Sequence, residues 1–551
     1  MHYAILFLLF LILQNNNING FRCGADLIKK KPKILDANNT KIKRGLSTEY
    51  TPLKIKYDFT YLIEQNKLNN EDLEDLKTSL NDISNYFSSL LSVYHQDVDV
   101  NIKKIKEECE INKISDDILS FFDTHDIIIF PIINEEMEEN VLAQAWTCLV
   151  LSNNKPVAGV VEINKDFSLN KLDSYYYSNY LLMHEISHIL GFNTFTFKAF
   201  NLSYSKTVDG ITKHYINSTK VLQKAKLHFN CENIKGIELE NQGGDGSVGS
   251  HWEARYMLGD YMISTDYPEV VISDITLALF EDTGLYKVNY YTGGLFRFGK
   301  NKGCPFLNEP CVYNNGKNTL FPNEFCTEPE AYFCGSSHIL RGECFIVDYE
   351  EIIEKRFSYY SNRYIGGFEA ADFCPVSYTY YDEELEKSYN YHYNCKYGHN
   401  IFKELGEVIG KSSLCFESSL LPTSNPEDLD KMYSICYEVE CDRDKKQIKV
   451  LIGNSYVICP KKGTILNNPN GFKGQIKCPD YNIVCTSKIW CNELFDCISK
   501  KSEADQKTYD YGNFFIENED IYDEYENNDN NVNIGNFLTI KLSIILLSLL
   551  F

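Results

Sequence analysis

Two histidines and a glutamate stand at a spacing that suits a metal-dependent hydrolase. His184, Glu185 and His188 form the pattern H-E-x-x-H. Residues four apart on a helix project from one face, one turn apart, so both imidazoles can bind a single zinc ion. Glu185 lies beside the metal, where it can take a proton from the attacking water and pass it to a leaving amine. The pattern predicts peptide-bond hydrolysis.

The motif lies on a predicted helix, Tyr175–Leu190, that we expect to be buried. Apolar side chains cover most of the rest of its circumference, namely Leu182, Met183, Ile186, Ile189 and Leu190. A buried helix that carries two histidines and a carboxylate is costly without a metal. Gly191 can close the helix through a left-handed conformation and turn the chain toward a third ligand. The alternative for the bare motif is chance occurrence.

The third ligand is not fixed by the motif. The pattern H-E-x-x-H-x-x-G-x-x-H would place a histidine where Thr194 stands. The remaining candidates are His214, His228 and His251, or a glutamate as in gluzincins. His214 and His228 lie beside lysines in polar stretches, and we interpret them as surface residues. His251 follows a glycine-rich run, 243–250, that could lay the chain against the zinc.

A methionine follows His251 by eleven residues. Met262, within Tyr261-Met262-Ile263-Ser264, could form the turn that lies beneath the metal in metzincins. Ordinary core packing is the alternative for this residue.

These stretches together resemble the leishmanolysin family of zinc proteases. The residues that carry the resemblance are HEISHILGF at 184–192, NQGGDGSVGSHWEARYM at 241–257, Met262, ISDITLALFEDTGLYKVNY at 272–290 and FGKNKGCPFL at 298–307. The resemblance runs from about Thr51 to Cys497. It implies an α+β zincin (metzincin) fold with one Zn²⁺ per chain, His251 as third ligand and Met262 as the methionine of the turn. It also implies an endopeptidase that acts on proteins and peptides.

The family has a cysteine in its pro-segment that caps the zinc before activation. Cys23 matches that element imperfectly, because the histidines that often flank it are absent. Leaving Cys23 out of the nineteen cysteines leaves eighteen, which can form nine disulfides. The resemblance therefore predicts a cysteine switch at Cys23, and the alternative is a spare thiol or an intermolecular bridge.

Composition limits the other functions. A chain of 551 residues suggests two to four domains. Its net charge of −23 argues against nucleic acid or an anionic membrane surface as a partner. Fifteen cysteines lie between Cys304 and Cys497 without a CxxC pair, which favours disulfides made in an oxidising compartment over a zinc ribbon.

Both chain ends fit an extracellular protein. The apolar run Tyr3–Leu13 is typical of a signal peptide. The apolar tail Phe537–Phe551 follows an acidic stretch, Glu517–Asn531, and we expect a GPI-attachment signal, with a transmembrane anchor as the alternative. Sequons for N-glycosylation stand at three positions: Asn38, Asn201 and Asn217.

The elements that must position the site are predicted as follows. Strands are expected at 50–62, 126–133 and 156–163, and helices at 68–93, 175–190 and 275–281. We expect substrate to pair with the strand near Val157–Ile163. The predicted organisation is a signal peptide at 1–20, a pro-segment at 21–45, an N-terminal catalytic domain at 46–195, a central domain at 196–303, a disulfide-rich C-terminal domain at 304–500, an acidic linker at 501–530 and the anchor signal at 531–551.

Two other functions stay open. One is a surface adhesion or binding protein on the same fold that has lost activity, which the presence of Glu185 and three candidate histidines disfavours. The other is a gluzincin-type aminopeptidase whose site is completed by a glutamate. The oligomeric state is not predicted.

Overall fold

Helices and strands both contribute substantially to the protein, which confirms the predicted α+β class. The computed structural model describes Cys23, residues 30–35 and residues 49–485, except for 97, 99, 138–140, 166–171, 209, 243–247, 266, 268, 291–295, 330, 379–392, 397–399, 401, 411, 426–428, 430 and 443. The described residues all lie in one compact unit, Met1–Ile498. The predicted signal peptide, acidic linker and anchor signal lie outside the described residues, as does most of the pro-segment.

The N-terminal part is built around one mixed sheet. Its elements, in chain order, are β1 (Lys33–Ile34), β2 (Thr51–Pro52), β3 (Ile55–Tyr57), α1 (Thr60–Gln65), α2 (Asn70–Leu90), β4 (Leu91–Val93), α3 (Ile102–Cys109), α4 (Ile118–Phe122), β5 (Ile127–Asn134), β6 (Ala143–Val150), β7 (Pro156–Asn164), α5 (Leu172–Leu190) and α6 (Thr194–Ala199).

The middle of the chain is a mixture of short elements. These are β8 (Ser203–Val208), β9 (Ile211–Ile216), α7 (Thr219–Phe229), β10 (Ile237–Glu238), α8 (Ala254–Met257), α9 (Asp274–Asp282), β11 (Tyr286–Val288) and α10 (Cys304–Asn308).

The C-terminal part consists mainly of strands. They are β12 (Tyr332–Cys334), β13 (Arg341–Cys344), β14 (Val347–Asp348), β15 (Ile365–Gly366), β16 (Ser377–Tyr378), β17 (Ser413–Ser418), β18 (Leu421–Pro422), β19 (Tyr433–Asp442), β20 (Gln447–Ile452), β21 (Ser455–Cys459), β22 (Ile465–Asn467), β23 (Phe472–Lys473) and β24 (Gln475–Lys477), followed by α11 (Tyr481–Val484). Single 3₁₀ turns lie at 355–357, 369–371, 403–405 and 469–471.

The N-terminal sheet has the strand order β1-β6-β7-β5-β3. Strand β6 is antiparallel to β7, whereas β5 is parallel to both β7 and β3. Alternate side chains of β5 point to opposite faces, so Ile127 and Ile129 join the core shared with α5 while Ile128 and Phe130 join the core under α3 and α4. Burial of both faces explains why β5 is a nearly continuous apolar run rather than an alternating one.

Helix α5, which carries the H-E-x-x-H motif, packs closely on β6 and β7. A Cβ atom added to Gly159 of β7 would lie 2.3 Å from Cγ2 of Ile189, so only glycine allows this approach. The hydroxyl of Thr147 on β6 donates to the carbonyl of Ile189 at 2.9 Å. The hydroxyl of Tyr286 donates to the carbonyl of Leu190 at 2.7 Å. The C-terminal end of the motif helix is thus bonded to β6 of this sheet and to β11 of another sheet.

Two predictions from the sequence were wrong. The segment predicted as one strand at 50–62 contains two short strands and then turns into α1 at Thr60, where the Asp58 carboxylate accepts from the Thr60 amide at 2.9 Å. The strand near Val157–Ile163 cannot pair with substrate, because β7 lies in the interior of the sheet with β6 on one side and β5 on the other. Periodicity identifies a strand but not its place in the sheet.

Eight disulfides join sixteen of the cysteines. Most lie in the C-terminal part, and Cys109–Cys148 ties α3 to β6 in the N-terminal part. Cys491 and Cys497, which a ninth disulfide would need, lie outside the described residues. Within the described part of the chain, no helix is long and apolar enough to cross a membrane.

Replacement of Gly159 tests the close packing of the motif helix. We expect Gly159→Ala to lower the free energy of unfolding by about 1–3 kcal/mol, because the added methyl group overpacks the contact with Ile189. Chemical denaturation measures the change. Gly410→Ala is the matched control, since its nearest neighbour would be Oγ of Ser413 at 3.9 Å. Equal stability of the two variants would contradict the close packing of α5 on β7.

Candidate metal centre

Four side chains from distant parts of the sequence converge at one buried point. One ligand atom from each of Cys23, His184, His188 and His251 lies within 4.8 Å of the others. Nε2 of His184 lies 3.0 Å from Nε2 of His188 and 3.1 Å from Nε2 of His251. Sγ of Cys23 lies 3.4 Å from Nε2 of His188. The structure therefore brings together the three predicted histidines and the predicted switch cysteine.

The outer nitrogens of two of these rings face backbone carbonyls. Nδ1 of His184 lies 2.6 Å from the carbonyl oxygen of Tyr261, and Nδ1 of His188 lies 2.6 Å from that of Phe192. A carbonyl oxygen can only accept, so each Nδ1 must carry the hydrogen. In a neutral imidazole the other nitrogen, Nε2, then presents a lone pair. Two lone pairs consequently face each other across 3.0 Å.

Such an arrangement calls for a cation. Burial lowers the pKa of His184 to about 4 and places the pKa of His188 well below its ordinary value, with the neighbouring His184 and His251 adding to the second shift. Near neutral pH both rings are therefore neutral, and a proton does not separate the facing nitrogens. Imidazole nitrogens fixed by outer hydrogen bonds to carbonyls are the usual ligands of zinc. The residues present fit a zinc ion.

The sulfur of Cys23 suits the same metal. Zinc is commonly bound by cysteine and histidine together in tetrahedral sites. Cys23 is buried beside His188 and takes part in none of the eight disulfides. A fourth ligand from the protein would leave no position for water. The arrangement is that of a closed metal site.

The first two histidines owe their positions to the end of α5. Gly191 has a φ of 133°, a conformation that favours glycine, and the amide of Phe192 returns to the carbonyl of Ser187 at 2.9 Å. This turn brings the Phe192 carbonyl back to His188. Asn193 then caps α6, since its side chain accepts from the Thr196 amide at 2.8 Å. Position 194, where a metzincin histidine was considered, begins this new helix.

His251 returns to the site along a short bridge. The amide of Glu240 donates to the carbonyl of His251 at 2.9 Å, and Leu239 forms an antiparallel bridge with Trp252. The ring of His251 is stacked on that of His184, with centroids 5.1 Å apart. The described residues thus place the third histidine after an insertion made of the β8–β9 hairpin, α7 and β10.

Met262 lies next to the segment that contains His251 and Trp252. The amide of Trp252 donates to the carbonyl of Met262 at 2.9 Å. The carboxylate of Asp260 accepts from the Met262 amide at 2.8 Å and from the Thr276 hydroxyl at 2.7 Å. Met262 itself is fully buried. The turn that contains Met262 is therefore fixed by several hydrogen bonds, one of them to the residue after His251.

Glu185 is fully buried on α5, one residue after His184, and its role as general base stays a prediction. The other candidate histidines are not part of the cluster. His214 lies on β9 with its Nδ1 2.8 Å from the Ser205 hydroxyl. His228 is not simply a surface residue, because its Nε2 lies 2.8 Å from the Phe298 carbonyl and its ring stacks on Phe296.

Sequence reasoning missed a group of buried acids near the segment that contains His251. Burial raises the pKa of Glu240 to about 8, and Asp372 adds to the shift. Burial likewise raises the pKa of Glu253, with Asp372 and Glu240 contributing. Lys213 lies 2.5 Å from Glu238 in the same group. These residues come from β9, from β10 and the segment after it, from the residue before α8 and from the C-terminal part, and their spacing in sequence gave no sign that they meet.

The chain is similar to known proteins over most of its length. The family model of leishmanolysin matches residues 83–491. A leishmanolysin homolog from Crithidia fasciculata is 30% identical over 363 residues, which cover 63% of this chain and 53% of that relative. Leishmanolysin from Leishmania tropica is 28% identical over 364 residues, covering 64% and 53%. A leishmanolysin-like peptidase from Drosophila melanogaster is 27% identical over 305 residues, covering 49% and 44%. The chain spans about half the length of these relatives.

Removal of His251 tests the composition of the site. With Cys23→Ala in both proteins, so that sulfur does not hold the metal, we expect the parent to hold about one zinc per chain and His251→Ala to lose it on dialysis against a weak chelator, since two histidines alone bind zinc poorly. Metal analysis gives the ratio. His214→Ala is the control and should keep its zinc, because that ring lies outside the cluster. Retention of zinc by His251→Ala would indicate a glutamate ligand, as in gluzincins.

Proposed function

The chain belongs to the leishmanolysin family of zinc metalloproteases, and on that basis we propose that it is a zinc-dependent endopeptidase. One observation carries the proposal: the imidazole nitrogens of three histidines converge on one buried point, and a buried glutamate follows the first of them on α5. His184, Glu185 and His188 come from the proposed catalytic domain at 46–195. His251 and Met262 come from the proposed central domain at 196–303.

The chemistry follows from the residues that surround the metal position. Bound by His184, His188 and His251, zinc would supply a Lewis acid that polarises the scissile carbonyl and makes a water more acidic. Glu185, one residue from His184, takes the proton of the attacking water and returns it to the leaving amine. The Tyr261 and Phe192 carbonyls hold the rings of His184 and His188 in the tautomer that leaves Nε2 available.

Strand β6 is the best place for an extended substrate. Its inner edge pairs with β7, and its outer edge pairs with β1 only at Leu149 and Val150. No strand in the described part of the chain pairs with the outer edge of Ala143–Cys148. A peptide can add to such an edge by main-chain hydrogen bonds. Since α5 packs directly on β6, a peptide bound there would run beside the metal centre.

We propose that the pro-segment keeps the enzyme latent through two attachments. The first is Cys23, whose thiolate on the metal would exclude water. The second is β1, which runs parallel to β6 at Leu149 and Val150, directly beside the proposed substrate edge. Nζ of Lys30 lies 4.4 Å from the ring centroid of Trp146 on β6 and 2.7 Å from the carboxylate of Glu110. The segment would thus occupy the metal position and lie against the proposed substrate strand.

The extracellular assignment rests on covalent chemistry. Eight disulfides require an oxidising compartment. The sequon residues Asn201 and Asn217 are both exposed, which N-glycosylation requires. Asn38 lies outside the described residues. A cell-surface location through a GPI anchor remains a prediction from the tail.

Replacement of the proposed base tests the mechanism. Glu185→Gln should keep the fold and the zinc but lower the rate of peptide hydrolysis by about 10²–10⁴, because glutamine cannot take a proton from water. The measurement uses the activated protein and a denatured protein substrate, with and without a zinc chelator. The exposed Glu64→Gln should behave as the parent. More than about a tenth of the parental activity in Glu185→Gln would rule out this role.

Latency is tested at Cys23. We expect Cys23→Ala to hydrolyse peptides while it still carries residues 21–45, since the position blocked by sulfur is then open to water. The parent proform should stay inactive until the segment is removed or the thiol is modified by a mercurial. Lys31→Ala, at an exposed residue of the same segment, should stay latent. An inert, folded and zinc-loaded Cys23→Ala would instead assign latency to steric cover by the segment.

A further inference from the structure

Tyr261 contacts helix α5, which carries His184 and His188, through both its backbone and its side chain. Its carbonyl oxygen lies 2.6 Å from Nδ1 of His184, and its hydroxyl lies 2.7 Å from Oγ of Ser187. His184 and Ser187 are three residues apart on α5, so they lie about one turn apart on the same side. One residue of the methionine turn is therefore attached to two successive turns of the helix.

We propose that Tyr261 is a positioning residue, which through its hydroxyl bond to Ser187 fixes the carbonyl that orients His184 for zinc. The proposal rests on the proposed zinc site and adds to it the two residues that maintain the geometry of one ligand. Neither residue touches the metal ligands with its own side chain in the described contacts, so the role is indirect.

The donor in the bond between Tyr261 and Ser187 can be identified, because a serine hydroxyl carries a single hydrogen. Oγ of Ser187 lies 2.9 Å from the carbonyl oxygen of Met183, which can only accept. The single serine hydrogen is therefore used in that bond, and Ser187 must accept from the Tyr261 hydroxyl. Both residues are buried. A phenol is protonated near neutral pH, so the Tyr261 hydroxyl can donate.

The bond between Tyr261 and Ser187, called the brace below, is connected to the rest of the site by further hydrogen bonds. The Tyr261 amide donates to the carbonyl of Val271 at 2.9 Å, which fixes the other side of the turn. The next carbonyl along, that of Met262, accepts from Trp252, the residue after His251. A shift of Tyr261 would therefore move the carbonyl that accepts from His184 and, through Met262 and Trp252, the segment that contains His251. Loss of an outer hydrogen bond to a metal-binding histidine typically weakens metal affinity 10–100-fold.

A matched control exists on the same helix. Tyr286 is also buried, and its hydroxyl donates to the carbonyl of Leu190 near the end of α5. It does not belong to the methionine turn. Tyr286→Phe removes one buried hydroxyl bond to α5, as Tyr261→Phe does, but leaves the carbonyl partner of His184 in place. The two variants separate a general loss of packing from a specific effect on the metal ligand.

The test measures zinc release rather than proteolysis. Zinc-loaded Tyr261→Phe, Tyr286→Phe and parent protein, each with Cys23→Ala so that sulfur does not hold the metal, are mixed with a chromogenic chelator, and thermal unfolding is recorded in parallel. We expect Tyr261→Phe to release zinc about tenfold faster than the parent. Tyr286→Phe should lower the melting temperature by a similar amount but release zinc at the parental rate. Equal release rates in all three proteins would overturn the proposal.

Ser187 supplies a second arm. Ser187→Ala leaves the Tyr261 hydroxyl buried without its acceptor, so it should release zinc at least as fast as Tyr261→Phe. The double variant Tyr261→Phe/Ser187→Ala removes both partners and should be no worse than the poorer single variant, because the bond between Tyr261 and Ser187 is already lost in either single variant. Strictly additive effects would contradict the brace. If the parent binds no zinc, the proposed function fails. If the parent binds zinc but Tyr261→Phe and Tyr286→Phe release it at the same rate, only the positioning role of Tyr261 fails.

Discussion

The dominant constraint in this protein is electrostatic. The Nε2 atoms of His184 and His188 face each other at 3.0 Å in a buried site. Each of them presents a lone pair, because Nδ1 of each ring donates to a carbonyl. Burial of the rings keeps them neutral, so the protein does not relieve the repulsion by protonation. The fold is organised to hold these atoms close, and a metal cation is the species that makes the arrangement favourable.

Holding two rings on one helix is easy, whereas fixing the helix and bringing the third ring requires the rest of the fold. Gly159 lets α5 approach the sheet, and the Thr147 hydroxyl of β6 donates to the carbonyl of Ile189 near the end of α5. The insertion between Thr194 and His251 then forms its own hairpin and helix before it returns. Since the methionine turn bonds to both His184 and the residue after His251, it joins the two halves of the site.

The sequence predicted the parts of this site that depend on local spacing. The helix around His184 and His188, strands β5 and β7 and the α+β class follow from periodicity, whereas β6 was not predicted. His251 was favoured by the glycine-rich run before it, and the family resemblance implied its role as third ligand. The place of β7 inside the sheet was mispredicted, because strand order depends on pairing between segments far apart in the chain. The contacts of Tyr261 were invisible for a related reason: a backbone carbonyl leaves no residue-type signal in the sequence.

Under the proposed latency, the position of the N-terminal residues explains how one short peptide controls hydrolysis. Cys23 lies among the three histidines and β1 pairs with β6 at Leu149 and Val150, so the proposed pro-segment uses the same kinds of contact that the proposed substrate needs: a ligand atom at the metal position and main-chain hydrogen bonds to β6. Being joined to the chain, it competes at a high effective concentration without tight individual contacts. Cleavage between the two attachments and the body of the protein would remove that advantage, and each would then dissociate as a weak separate ligand.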